Sequence, residues 1–195
     1  MNIYVFGAGA LGSNLMTNIV VDIQLKNVVF FTIDYDTVEA RNIQAGTQFY
    51  FREQIGKQKV DALRMNVYTF FNKKITAINK KIAQSNISEF STDDSLFIDA
   101  FDNASSRNLL YTYCKQNKIN CIHIGFSPQF TFEVTWNDAY SVQDNSNLKI
   151  DICELSGARS FIKTVCGMAS QVILQYVNKS EKINLIGNKY ISSKA

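Results

Sequence analysis

Residues 3–12 read IYVFGAGALG, and the fold can be worked out from this stretch. Its first four residues form a short apolar run typical of a buried strand, and the rest follows the pattern Gly-x-Gly-x-x-Gly with Gly7, Gly9 and Gly12. A helix with an apolar face follows and includes Leu11. Such glycines permit a tight turn and let a phosphate approach backbone N–H groups at a helix N-terminus. The stretch predicts a nucleotide site; a glycine-rich turn without a ligand is the alternative.

Strand and helix patterns alternate along the rest of the first 124 residues. Helices are predicted near 57–71 and 104–116, and an irregular loop with short helical turns over 36–56. Short β-branched or apolar runs predict four further buried strands, at 27–33, 75–78, 96–100 and 121–124. This alternation predicts an α/β fold with a doubly wound, mainly parallel, Rossmann-like sheet.

The pattern changes after Pro128. Apolar and polar residues alternate strictly over 129–136, which predicts a half-exposed antiparallel strand towards an edge of the sheet. A polar stretch at 137–149 predicts a loop, and a long C-terminal helix is predicted from about 155 to 177. We predict one domain over residues 1–180, followed by a C-terminal tail over 181–195.

Composition excludes several classes of function. The 195 residues carry a formal net charge of +3 and no block of Lys or Arg, so we expect no nucleic-acid surface. No window approaches the ~20 apolar residues of a membrane helix, and no secretory signal is recognisable. The four cysteines form no C-x-x-C pair, so no zinc site is predicted; reduced thiols in the cytoplasm are the expected state.

An acid follows the second predicted strand. Asp34 lies 22 residues beyond Gly12, where a carboxylate can accept hydrogen bonds from ribose hydroxyls. This position suits NAD as well as ATP, so the turn and Asp34 together predict a nucleotide without choosing between the two.

Three further segments of the sequence favour ATP over NAD. Residues 34–44 read DYDTVEARNIQ, residues 55–63 read IGKQKVDAL, and residues 97–103 read FIDAFDN, with Arg107 four positions later. They resemble the D-x-D-x-V-x-x-x-N-L, I-G-x-x-K-V-x-A and D-x-x-D-N-x-x-x-R motifs of the ThiF/MoeB family. That family comprises adenylyltransferases that activate ubiquitin-like proteins, and the resemblance covers roughly residues 1–136 in order.

The resemblance implies adenylation of the C-terminal carboxylate of a small ubiquitin-like or sulfur-carrier protein, with ATP and Mg²⁺, by a homodimer. It implies that Asp34 holds the ribose, that Asn42 and Lys59 reach the phosphates, and that Asp102 holds Mg²⁺. Lys59, Asp102 and Asn42 are the implied catalytic residues. The implied nucleotide-binding set also contains Gly7, Gly9, Leu11, Gly12, Asp36 and Asn103.

Each of these side chains also has a structural alternative. Lys59 could be a solvated helix residue, Asn42 a turn former and Asp102 the N-cap of the helix that follows. The stretch 42–48 also lacks the arginine that the family has just after the asparagine. This absence favours, as an alternative function, a nucleotide-binding scaffold or the non-catalytic half of a heterodimer, unless another arginine substitutes; the candidates are Arg41, Arg52 and Arg159.

An NAD-dependent oxidoreductase is the third hypothesis. The glycine turn and Asp34 suit it, but Asp102 and Lys59 have no natural role there.

The cysteines and the single histidine are mostly predicted to be structural. Cys114, Cys121 and Cys166 fall in apolar helix or strand segments, and His123 lies between two isoleucines of a predicted strand. Cys153, between the polar loop and the long helix, is the one candidate nucleophile.

Overall fold

Seven strands form one sheet in the described residues of the computed structural model, which are 1–23, 27–90, 94–141 and 155–188. Their order across the sheet is β3-β2-β1-β4-β5-β6-β7. The first five strands in this order are parallel to one another, β6 is antiparallel to β5, and β7 is antiparallel to β6. The strands are β1 (Asn2–Phe6), β2 (Val29–Asp34), β3 (Thr76–Asn79), β4 (Ser95–Asp99), β5 (Asn120–Phe126), β6 (Thr131–Trp136) and β7 (Leu185–Asn188).

Helices cover both faces of this sheet. They are α1 (Ala10–Asp22), α2 (Ala40–Gln44), α3 (Lys59–Phe71), α4 (Ala104–Asn117) and α5 (Ala158–Lys179), and two 3₁₀ turns span Arg52–Gln54 and Ile87–Phe90. In the described part of the chain, no helix is both long enough and apolar enough to cross a membrane.

The alternation of side chains along β1 shows how the two faces are built. Ile3 and Val5 point into the larger core, which also contains side chains of α1, α3 and α5. Tyr4 and Phe6 point into the smaller core on the opposite face, with Leu110 of α4 and the 3₁₀ turn at 87–90. Successive strand residues face opposite ways, so a sheet covered on both faces needs an apolar run rather than an alternating one.

The predicted fold class is therefore confirmed. The sheet is doubly wound and mainly parallel, an antiparallel strand follows β5, and the long C-terminal helix is α5. The irregular 36–56 segment contains only the short helix α2 and one 3₁₀ turn, as predicted.

The outermost strand differs from the prediction. Residues 181–195 were predicted to be a tail, but Leu185–Asn188 form β7, whose Leu185 pairs with Val134 of β6. A Cβ on Gly187 would lie 2.7 Å from the ring of Phe132, so the glycine permits close packing there. A four-residue strand with a glycine and an exposed Ile186 carries too weak a pattern to be predicted without its partner.

The strand order reverses between β1 and β4. To one side of this point the chain proceeds to β2 and β3, and to the other side from β4 to β5. Connections leave neighbouring parallel strands at the same carboxyl edge, and a crevice forms where they diverge. The glycine turn after β1, Asp34 at the end of β2 and Asp102 beyond β4 all lie at this edge.

Candidate functional site

The glycine turn joins β1 to α1, and two of its glycines are required by packing. Gly7 has a φ of +98°, and a Cβ there would lie 2.8 Å from the carbonyl oxygen of Ala100. A Cβ on Gly12 would lie 1.8 Å from the carbonyl oxygen of Gly7. A Cβ on Gly9, in contrast, meets no atom of the described residues within 4 Å. The space beside Gly9 is therefore suited to a ligand that approaches the backbone.

The N-terminus of α1 lies at this turn and is suited to an anion. Its N-cap residue is Gly9, so no side chain of the N-cap position bonds to the first N–H groups of the helix. The first N–H groups of a helix have no partner within the helix and carry partial positive charge, which favours a phosphate. The side chain of Leu11 is buried in the core, so only its backbone could contribute to binding.

Asp34 connects the end of β2 to the glycine turn. Its Oδ2 accepts a hydrogen bond of 2.6 Å from the Ala8 N–H, and its Oδ1 accepts one of 2.8 Å from the Asp36 N–H. The residue is 9% exposed. An ionised carboxylate has about four acceptor sites, so these two bonds orient Asp34 and leave capacity for a ribose hydroxyl.

Lys59 and Asp36 form an ion pair at the start of α3. The Lys59 Nζ lies 3.1 Å from Asp36 Oδ2, and the Lys59 N–H donates to the Asp36 carbonyl at 2.9 Å. The lysine side chain is 10% exposed whereas that of Asp36 is 49% exposed. The alternative that Lys59 is a solvated helix residue is therefore wrong. Its ammonium group is held at the rim of the site with a carboxylate beside it.

Asn42 lies on α2 and stabilises the start of that helix. Its Oδ1 accepts a 2.8 Å hydrogen bond from the Glu39 N–H, and the residue is 7% exposed. Asn42 thus caps the start of α2, a structural role that differs from the turn former given as its alternative. The Nδ2 donor of the same amide is not used in that bond.

Asp102 and Asn103 have different roles at the start of α4. Asn103 is the N-cap of α4, with its Oδ1 accepting a 2.8 Å hydrogen bond from the Ser106 N–H. The alternative that Asp102 caps this helix is therefore wrong. Asp102 is exposed, and its Oδ1 lies 3.4 Å from the Asn103 Nδ2. Its carboxylate is thus accessible to a cation.

The segment that carries Asp102 packs directly on the glycine turn. The Ala100 N–H donates to the Phe6 carbonyl at 2.9 Å, and Gly7 lies against Ala100. Oxygen ligands of this kind suit Mg²⁺, which usually binds one or two carboxylates together with substrate phosphates. Within the described ranges, no three His, Cys, Asp or Glu side chains converge to form a metal site on their own. Asp102 therefore fits a metal shared with a nucleotide.

The three arginines that could substitute for the missing one differ in position. Arg41 pairs with Glu39 at 2.5 Å, and Arg52 lies in the 3₁₀ turn after the loop. Arg159 is exposed in the first turn of α5, and a Cβ on Gly46 would lie 3.8 Å from its Cδ. Arg159 is thus brought next to the 42–48 stretch, although more than 110 residues separate the two in sequence.

Tyr50 belongs to the site and was missed by sequence reasoning. Its hydroxyl donates a 2.5 Å hydrogen bond to the Ala8 carbonyl, and the residue is 5% exposed. Burial, followed by the nearby Asp34 and Asp36 charges, raises the pKa of Tyr50 well above its ordinary value. A tyrosine in an irregular loop carries no periodic signal, so only the tertiary contact reveals that it supports the glycine turn.

The remaining candidates are structural or lie outside the described residues. Cys114, Cys121 and Cys166 are buried, and burial raises the pKa of Cys166 to about 12. His123 is fully buried, with Nδ1 2.8 Å from Asp99 Oδ2, which confirms a structural histidine. Cys153 lies outside the described residues.

The fold defines the class of the protein, which is a Rossmann-like α/β domain with a crevice at the carboxyl ends of β1, β2 and β4. The chain belongs to the ThiF family, whose model matches residues 1–192. No curated protein sequence matches the chain significantly.

Several solved structures share this fold at low sequence identity. E. coli MccB, determined with AMPCPP and MccA, is 12% identical with a TM-score of 0.72, and covers 96% of this chain. PaaA is 17% identical with a TM-score of 0.70 over 97% of this chain. E. coli tRNA N6-threonylcarbamoyladenosine dehydratase, TcdA, is 19% identical with a TM-score of 0.68; the match covers 92% of this chain and 86% of that one. The chain spans only 63% of the MccB chain and 61% of the PaaA chain.

Proposed function

We propose that this protein is an ATP-dependent adenylyltransferase that activates a carboxylate. The observation that carries the proposal is the convergence, at one edge of the sheet, of an uncapped glycine turn, the oriented Asp34, the Lys59–Asp36 pair and the accessible Asp102. Membership of the ThiF family supports ATP over NAD as the nucleotide. A dinucleotide-binding dehydrogenase needs no second acid and no lysine at these positions.

The proposed reaction forms a bond between a carboxylate oxygen and the α-phosphorus of ATP and breaks the bond from that phosphorus to the leaving pyrophosphate. Positioning and neutralisation of charge supply the rate, since the protein needs to form no covalent bond itself. The α1 N-terminus and Lys59 would hold the phosphates, and Asp34 would hold the ribose. Asn42 would donate from Nδ2. Mg²⁺ bound to Asp102 would neutralise phosphate charge.

The proposed acceptor is the C-terminal carboxylate of a small ubiquitin-like or sulfur-carrier protein, acted on by a homodimer. The motif resemblance to the ThiF/MoeB family supports this proposal. Structures of similar fold include one determined with MccA and one named as a tRNA-modifying dehydratase, so acceptors vary among such proteins. A screen for the acceptor should therefore include short peptides and tRNA beside ubiquitin-like proteins.

The proposal is tested by calorimetric titration with Mg·ATP and, separately, with NAD. We expect Mg·ATP to bind, and Asp102→Asn to weaken this binding about tenfold through the loss of one charge-assisted contact. Asp61→Asn is the matched control, because Asp61 is an exposed carboxylate whose partner is Arg64 at 3.0 Å. Binding of NAD instead of ATP would contradict the proposal. Equal affinities of Asp102→Asn and Asp61→Asn for Mg·ATP would contradict it as well.

A non-catalytic role is the second candidate, and the absence of arginine from residues 42–48 favours it. The approach of Arg159 to Gly46 favours catalysis instead, since it returns a guanidinium to that stretch. Exchange of labelled pyrophosphate into ATP, measured with each candidate acceptor, distinguishes the two. Nucleotide binding without exchange for any acceptor would support the scaffold.

A further inference from the structure

A second group of ionisable side chains lies buried next to the backbone segment that leads into Asp102. Asp99, the last residue of β4, is fully buried, and the Arg107 side chain is 12% exposed. His123 of β5 is also fully buried. The nucleotide chemistry proposed above uses none of these three, so the burial of these ionisable groups requires another explanation.

Asp99 and Arg107 hold both polar groups of one residue, Phe101, which directly precedes Asp102. The Phe101 N–H donates to Asp99 Oδ1 at 3.0 Å, and the Phe101 carbonyl accepts from Arg107 Nε at 2.7 Å. Charge-assisted hydrogen bonds are about twice as strong as neutral ones. The backbone that leads into Asp102 is therefore fixed from two sides.

Each of these two side chains is itself anchored on β5. Arg107 Nη2 donates to the Ile124 carbonyl at 2.6 Å, and Asp99 Oδ2 faces His123 Nδ1 at 2.8 Å. The other ring nitrogen of His123 lies 2.6 Å from Asn137 Oδ1. The guanidinium of Arg107 can therefore rotate only by breaking partly buried hydrogen bonds.

An aromatic ring closes the cluster. Tyr140 stacks on His123 with centroids 3.8 Å apart and 3° between planes, and its hydroxyl accepts from Arg107 Nη1 at 3.3 Å. Burial alone lowers the pKa of Arg107, but Asp99, Tyr140 and Glu133 outweigh it and raise the pKa, so the cation persists. The cluster is held by several hydrogen bonds, whereas Asp102 is exposed and its Oδ1 lies 3.4 Å from the Asn103 Nδ2.

We propose that Asp99 and Arg107 are positioning residues that set the direction of the Asp102 carboxylate by clamping the Phe101 peptide. This inference rests on the proposed function, since it assigns Asp102 to metal-bound nucleotide. Asp99 and Arg107, together with His123, which contacts Asp99, form the clamp. The clamp acts through Asp102 and does not touch the nucleotide itself.

The test uses Arg107→Lys, which keeps the positive charge beside Asp99 but cannot donate to Phe101 and Ile124 through one planar fork. Two quantities are measured, namely amide hydrogen exchange over residues 99–104 without nucleotide, and the factor by which Mg²⁺ strengthens ATP binding. We expect exchange to accelerate about tenfold and the Mg²⁺ factor to fall about tenfold, as expected for one lost charge-assisted bond. Binding of ATP without metal should change less than about twofold, because the clamp acts only through Asp102.

A double variant separates positioning from general damage. In an Asp102→Asn background, Arg107→Lys should reduce Mg·ATP binding no further, because the group that it positions is already lost. Ser170→Ala is the control, since Ser170 is buried and donates to Asp22 at 2.7 Å far from β4. If Arg107→Lys fails to fold, Arg107→Gln takes its place.

Three results would overturn the clamp. They are unchanged amide exchange over residues 99–104 in Arg107→Lys, an equal loss of ATP affinity with and without Mg²⁺, and additive losses of Mg·ATP affinity in the double variant. If the wild-type protein binds no Mg·ATP, the proposed function fails, and the exchange measurement still decides whether the clamp exists.

Discussion

At the scale of single residues, the glycines of the turn after β1 differ in why they are needed. Gly7 and Gly12 have backbone atoms within 3 Å of where a Cβ would be placed, whereas Gly9 has open space. The same motif therefore combines residues that the fold requires with one that only a ligand would require. This difference can be tested by two substitutions in the same turn.

Gly12→Ala should destabilise the fold by about 3 kcal/mol, because its Cβ cannot avoid the carbonyl of Gly7. Gly9→Ala should cost less than about 1 kcal/mol, the usual range for an N-cap change, yet weaken Mg·ATP binding strongly. Urea denaturation and calorimetry measure the two effects. Wild-type nucleotide affinity in Gly9→Ala would show that no phosphate approaches this residue.

Thiol reactivity is also decided residue by residue. Thiolate is the reactive form, and a pKa of about 12 leaves about one part in 10⁴ of Cys166 ionised near pH 8. Burial raises the pKa of Cys121 well above its ordinary value, and Cys114 is buried beside it. We expect these three thiols to react with a disulfide reagent only after denaturation.

The variant Cys153→Ser tests whether Cys153 is the thiol that reacts rapidly in the folded protein. If Cys153 is a nucleophile, this variant should lose the rapid reaction and keep the slow one seen on unfolding. Rapid modification that persists in Cys153→Ser would show that one of the buried cysteines is accessible.

At the scale of elements, the loop between α2 and α3 is fastened to the glycine turn by side chains. Tyr50 donates to the Ala8 carbonyl, Asn14 donates to the Thr47 carbonyl at 2.7 Å, and Ser13 accepts from the Phe49 N–H at 3.1 Å. An irregular segment thus gains a defined position from polar contacts with the glycine turn and α1, which replace the regular hydrogen bonds of a helix or strand.

Tyr50→Phe should lower the free energy of unfolding by about 1–3 kcal/mol, since it leaves the buried Ala8 carbonyl without this donor. Tyr68→Phe is the control, because Tyr68 is 57% exposed. Urea denaturation measures both. Equal stability of the two variants would contradict a structural role for the Tyr50 hydroxyl.

The pH dependence of Tyr50→Phe has a defined sign. The folded protein raises the pKa of Tyr50 above the unfolded value near 10, so folding favours the neutral phenol. The stability that it contributes is complete below about pH 10 and is lost as the pH rises further. The difference between wild type and Tyr50→Phe should therefore shrink above about pH 10.

At the scale of the whole molecule, the sheet is completed by residues far apart in the chain. Strand β7 covers the edge of β6, and Asn184 Oδ1 accepts from the Trp136 N–H at 2.8 Å. Without β7, the backbone groups along one side of β6 would lose their partners, and exposed strand edges promote self-association. Strand β7 therefore protects this edge of β6.

Truncation after Asn184 should lower stability and cause self-association, measured by urea denaturation and light scattering. Truncation after Asn188 keeps β7 and is the matched control. If both truncated proteins remain monodisperse and equally stable, pairing of β7 with β6 contributes nothing measurable, and residues 181–195 behave as the predicted tail.

The sequence by itself determined the elements that depend on neighbouring residues. The apolar run before Gly7 predicts a strand, and the spacing of the glycines predicts a turn into a helix, because period and turn chemistry are local. The positions of Asp34, Lys59 and Asp102 relative to strand and helix ends follow in the same way. They sufficed to predict the fold class and a nucleotide site.

Only the tertiary structure decided what depends on distant partners. It buried Lys59 against Asp36, gave the helix cap to Asn103 instead of Asp102, and brought Arg159 to Gly46. It also placed β7 on the sheet and gathered Asp99, Arg107 and His123 behind the site. Apart from the Asn103 cap and the Asp99–Arg107 pair, these contacts join residues more than 20 positions apart. Neither composition nor periodicity records which of these residues meet, because contacts at long range are fixed by packing of the whole core.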